Sequence, residues 1–167
     1  MNLLKENGAA RPQHNEPYRV GVAGLMTHVF LSNGDSFAAS FYLRLTGSYG
    51  SGRESLGERL NDPDTVFLAC KVEQQVQLVN LAWISYIQVS GTLPEVEYRE
   101  QVGATRHAAR LLLRNGDELI GEFLSLMPSS RARVSDMLNA PGERFLLFLI
   151  PGATCYVNRD AVERVCV

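Results

Sequence analysis

Residues 110–123 read RLLLRNGDELIGEF, and residues 28–41 read HVFLSNGDSFAASF. Both are an apolar run, the tripeptide Asn-Gly-Asp, further apolar residues and a phenylalanine, Phe123 or Phe41. Asn-Gly between two apolar runs is a strong short hairpin signal, because a type I′ turn needs two residues that tolerate positive φ. The spacing predicts strands over 27–32 and 36–44, and again over 108–114 and 118–126.

The match continues outward from these hairpins. Leu60-Asn61-Asp62-Pro63 recurs as Leu138-Asn139-Ala140-Pro141, Phe67-Leu68 as Phe145-Leu146, Val79-Asn80 as Val157-Asn158, and Val89 as Val167. The offset is 82 residues at the hairpins and 78 beyond Arg53 and Arg131. The difference lies in the connection after the hairpin, TGSYGSG at 46–52 against PSS at 128–130, a place where loop length varies at little cost. Matched islands in one order imply a tandem duplication.

Each copy is then read locally. A short helix follows the hairpin. In the second copy Ser130 is its expected cap, with Val134, Met137 and Leu138 as its apolar stripe, and Leu56 and Leu60 are the stripe in the first. Asn61 and Asn139 stand where a left-handed helix end is wanted, with a proline two residues on. The next strands, VFLACKV at 66–72 and FLLFLI at 145–150, do not alternate, which implies burial on both faces. The excess apolar face must meet the other repeat or another subunit. Strands over 76–80 and 154–158, one helical turn (81–83 and 159–161) and final strands over 84–89 and 162–167 complete the units. The expected organisation is a tail over 1–18, one repeat over 19–90, a linker over 91–106 with an extended segment at Glu95–Glu100, and a second repeat over 107–167.

Five short strands with a helical turn before the last resemble the SH3-like small barrel. The Asn115-Gly116 pair with Gly121, followed by Asp136 and Asn139, is similar to the Sm-like elaboration of it. That resemblance implies a mainly β fold of two tandem five-stranded SH3/Sm-like barrels, each with a short helix inserted after the first hairpin. It also implies RNA binding as a class of function. The first copy has Ala39 where the glycine belongs, and Val157-Asn158-Arg159-Asp160 stands in place of the family's Arg-Gly.

Composition narrows the function further. The 167 residues carry a formal net charge of −2, so the molecule as a whole has no pull toward nucleic acid or anionic membrane. Cys70, Cys155 and Cys166 form no CxxC pair and are expected as buried free thiols in a reducing, cytoplasmic setting. No apolar run reaches the ~20 residues of a membrane helix.

No nucleophile elbow, phosphate loop, dinucleotide fingerprint or metal motif occurs, so neither enzyme activity nor a cofactor or metal is expected. His28 and His107 begin equivalent strands and are expected as structural residues. Arg131, Arg133 and Arg144 around the second helix, with Arg53 and Arg59 in the first copy, are candidates for an anion or acidic-partner patch, against ordinary surface arginine. Trp83 and Tyr86 are candidates for a peptide groove, against core packing. Two functions are carried forward. One is a non-enzymatic protein-interaction or assembly module, with a protein partner or self-association. The other is an Sm-like RNA-binding module, whose binding would fall with salt.

Overall fold

The computed structural model describes residues 22–45, 52–128, 130 and 133–167. The expected tail, and most of the glycine-rich connection, lie outside these residues.

Among the described residues ten strands form one open antiparallel sheet, ordered β10-β6-β7-β8-β9-β5-β1-β2-β3-β4. The first copy supplies β1 (Val22–Leu31), β2 (Ser36–Arg44), β3 (Phe67–Val72), β4 (Gln75–Asn80) and β5 (Ile84–Ser90). The second supplies β6 (Thr105–Leu113), β7 (Glu118–Ser125), β8 (Phe145–Ile150), β9 (Ala153–Asn158) and β10 (Val162–Cys166). The expected mainly β fold is present. Where two tandem five-stranded barrels were expected, the two halves share one continuous open sheet through a ladder between β9 and β5.

The duplication is visible rung by rung. In the first half His28 faces Gln88, Val29 faces Ile87 and Phe30 faces Tyr86, and the register then slips before Leu31 and Ile84. In the second half Arg110, Leu111 and Leu112 face Cys166, Val165 and Arg164, with a slip before Leu113 and Val162. These are the same positions at the offsets found in the sequence. Beyond each hairpin, Phe41 faces Cys70 and Phe123 faces Phe148.

The hairpin turns also match, in a form other than type I′. The Leu31 carbonyl accepts from Gly34 N–H at 3.1 Å, and the Leu113 carbonyl from Gly116 N–H at 2.9 Å. Only the glycines take positive φ, 91° at Gly34 and 90° at Gly116, and neither asparagine does. This is the geometry of a type I turn closed by a left-handed glycine. Each asparagine Oδ1 instead accepts the N–H of the aspartate two residues on, at 3.0 Å (Asp35) and 3.1 Å (Asp117).

Among the described residues three α-helices decorate the sheet: α1 (Leu56–Leu60), α2 (Pro94–Gln101) and α3 (Val134–Asn139). The Ser55 side chain caps α1 by accepting Glu58 N–H, while Glu58 accepts Ser55 N–H, a capping box. The cap of α3 is Arg133 rather than Ser130, with Asp136 reaching back to accept Arg133 N–H. Asn61 ends α1 with φ −98° and Asn139 is the last residue of α3, so neither is left-handed. The linker segment expected to be extended is α2. Pro94 sits at its first position with Glu95 and Glu97 in the first turn, all favourable at a helix N-terminus.

Gly121 shows why β7 needs a glycine: a Cβ there would lie 2.0 Å from the Leu149 carbonyl oxygen of β8.

Candidate interface at the sheet edges

Two cores flank the sheet, and β8 and β9 are shared between them. Phe145, Leu147 and Tyr156 point into the first half's core, with Leu56, Leu60, Ile87 and Val89. Leu146, Phe148, Cys155 and Val157 point into the second half's own core. The unalternating strand 145–150 is thus buried on both faces because the other repeat covers one of them, the first of the two coverings expected.

The junction has recognisable parts. β9 and β5 pair from Tyr86 opposite Val157 to Ser90 opposite Ala153. Asn61 clasps the start of β8: its Oδ1 accepts Arg144 N–H and Phe145 N–H, both at 2.7 Å, and its Nδ2 donates to the Phe145 carbonyl at 2.9 Å. Asn158, fully buried, donates across the junction to the Ile84 carbonyl at 2.8 Å. The Tyr156 ring lies over Gly57, where a Cβ would come within 3.0 Å of it. Its hydroxyl donates to Glu95 Oε2 at 2.8 Å. Burial, then the Glu95 charge, pushes the Tyr156 hydroxyl well above its ordinary pKa. Arg99 bridges Glu95 and Glu143, each at 3.1 Å, so α2 staples the two halves where they meet.

At the ends of the sheet, the outer edges of β4 and β10 meet no strand among the described residues. β4 and β3, with the residue before β3, expose Val66, Phe67, Val76 and Leu78, at 55–68 %. Such exposure on an edge strand is an invitation to pairing. At the other end a groove of about 610 Å³ opens beside β10 and α3, lined by His107, Val134, Ser135, Leu138, Val165 and Val167 among others.

The sequence-based candidates are dispersed. Trp83 is exposed on the helical turn before β5, whereas Tyr86 is buried and stacked on Phe30 with ring centroids 4.1 Å apart. They form no common groove. Burial, the main cause, raises the Tyr86 hydroxyl far above its ordinary pKa. Arg144 lies at the junction, its backbone held by Asn61. Arg133 lies at the open groove. Arg53 lines a separate hollow with Leu25, Pro94 and Tyr156, and Arg131 is outside the described residues. Arg59 is paired with Glu54 and Asp62. No single arginine patch is assembled from these positions. His28 contacts Ser36 and His107 contacts Thr105. No metal-binding cluster occurs among the described residues, and no described helix is long and apolar enough to cross a membrane.

Sequence reasoning passes over the residues that make the junction. It reads Asn61 only as a helix stop and Glu95 as linker. The repeated Leu-Asn-x-Pro was the available signal, since an asparagine kept in both copies is more than a proline stop requires.

Comparison with protein-family models, curated proteins and solved structures finds no match to this chain.

Proposed function

We propose that this protein is a non-enzymatic interaction and assembly module that recruits protein by strand addition at its sheet edges. One observation carries the reading. β9 and β4 are the same strand of the repeat; β9 is buried by a neighbouring unit, while β4 keeps its neighbour-facing residues in water. Strand addition takes affinity from main-chain hydrogen bonds and selectivity from alternate side chains. Those roles fall to the β4 backbone and to Val76 and Leu78.

The RNA-binding alternative has less to rest on. Arg106 and Arg110 are each paired with glutamates, and the candidate arginines stand apart.

In-cell cross-linking with mass spectrometry tests the proposal. Protein cross-links are expected at residues flanking β4 or β10, such as Lys71. Cross-links confined to other surfaces, with RNA bound at low salt and released by Arg133→Ala, would replace it with the alternative.

A further inference from the structure

We infer that the occupant of both edges is a second copy of this chain, joined head to tail, with β4 of one copy beside β10 of the next. The inference rests on the interaction reading above and names its partner. The molecule contains the interface once already, between β9 and β5, and the strand pairing, apolar contacts and asparagine clasps of that junction have counterparts at the open ends.

The repeat fixes the register. Tyr86, Ile87, Gln88 and Val89 correspond to Arg164, Val165, Cys166 and Val167 at the offset of 78 residues. Their junction partners Val157, Tyr156, Cys155 and Thr154 correspond to Val79, Leu78, Gln77 and Val76. Between copies, therefore, Arg164 faces Val79, Val165 faces Leu78, Cys166 faces Gln77 and Val167 faces Val76.

The exposed residues are the ones this register would bury. Phe145 and Tyr156, fully buried in the neighbouring half, correspond to Phe67 and Leu78, which are 55 % and 68 % exposed. The receiving surface is also copied. Leu56, Leu60, Ile87 and Val89 surround Phe145 and Tyr156, and their counterparts Val134, Leu138, Val165 and Val167 line the open groove. Size is exchanged across the contact: Gly57 lies under the large Tyr156 ring, and Ser135 would lie under the smaller Leu78.

The polar clasps repeat as well. Asn139 is exposed and donates to the Ser135 carbonyl of its own helix, at 2.7 Å. Its counterpart Asn61 holds Arg144 and Phe145, so Asn139 would hold Val66 and Phe67 of the next copy. Asn80 uses its Oδ1 to cap the turn at Ala82, as Asn158 does at Asp160. The Asn158 Nδ2 donates to Ile84 and Leu81. In the assembly the Asn80 Nδ2 reaches the Val162 and Arg159 carbonyls of the next copy. Glu163 and Arg164 guard β10 against an arbitrary strand. Beside Val79, the Arg164 stem lies along the apolar residue with its charge in water. A contact between two different surfaces of one chain closes into a ring or runs on as a filament.

The test is made on the full chain. Opposed residues of an antiparallel pair lie within disulfide reach, so Gln77→Cys should link to the native Cys166, which is exposed. Mild oxidation is expected to give a ladder of covalent oligomers, with a peptide joining position 77 to Cys166 by mass spectrometry. Adding Cys166→Ser should abolish it. Light scattering of the unaltered chain should give multiples of 18.5 kDa. Leu78→Lys, at an exposed position, should keep the circular dichroism spectrum and weaken association at least tenfold. A link between position 77 of one copy and position 77 of another, in the double variant, would mean a two-fold edge contact and would overturn the proposal. So would a monomer at every concentration, or a chain that assembles only when residues 1–18 are removed. Cross-links from β4 or β10 to a different protein would overturn the second-copy occupant and leave the interaction reading standing.

Discussion

β9 and β4 occupy the same place in the repeat, pair with the preceding strand in the same register and end in the same asparagine-capped turn. Every residue of β9 is buried, and β4 is exposed from Gln75 to Leu78. Strand sequence and local hydrogen bonding are therefore insufficient to set burial here. What differs is the neighbour. β9 has the first half's α1, β5 and α2 against it, and β4 has nothing among the described residues on its outer edge. The apolar content of each strand follows suit: FLLFLI is beside the covered edge and FLACKV beside the open one.

The largest break in this comparison should come from truncating the paired positions. Tyr156→Ala removes a buried aromatic ring and leaves Glu95 without its hydroxyl partner. The expected cost is about 4 kcal/mol, read by urea unfolding. Leu78→Ala, its counterpart, should change monomer stability by less than about 0.5 kcal/mol, measured at concentrations too low for association. Equal costs would mean that β4 is covered within its own chain.

The asparagines give a smaller contrast. Asn61→Ala leaves two backbone N–H groups and one carbonyl without their partner, at an expected cost of about 2 kcal/mol. Asn139→Ala loses one exposed bond, and the dilute chain should barely notice. At assembling concentrations the two costs should approach each other.

Much of this molecule was legible in its residues. The Asn-Gly-Asp hairpins, the displaced apolar islands and the unalternating strand 145–150 pointed to the strand order within each half and to a second covering layer. The joining of the halves into one sheet was not legible, because edge-to-edge pairing is made by backbone groups that every sequence carries. α2 was missed because eight residues with a polar majority show little periodicity; its stability comes from Glu95 and Arg99 meeting Tyr156 and Glu143, contacts set by the tertiary fold. The site was hidden for the same reason. Arginines and aromatics drew attention as ligand-binding types, while the junction is held by asparagine, glycine and tyrosine, whose roles depend on what faces them.

Alkaline pH should give the smallest effect, and on the covered strand β9. Burial raises the Cys155 thiol from its ordinary 9.0 to about 12. The unfolded chain therefore gives up this proton first. The thiol's contribution to stability is complete below about pH 9 and is lost as pH rises toward 12. Cys155→Ala should make the fall in that window shallower in unfolding curves.

β4 and β10 are, on this reading, two halves of one contact whose worked example is β9 against β5. Hydrogen exchange followed by mass spectrometry over a range of protein concentrations tests it most directly. Amides of Gln75–Asn80 and Val162–Cys166 should gain protection together as concentration rises, while those of Ala153–Asn158 stay protected throughout. Protection that never appears at either edge, or that rises at one edge alone, would contradict it.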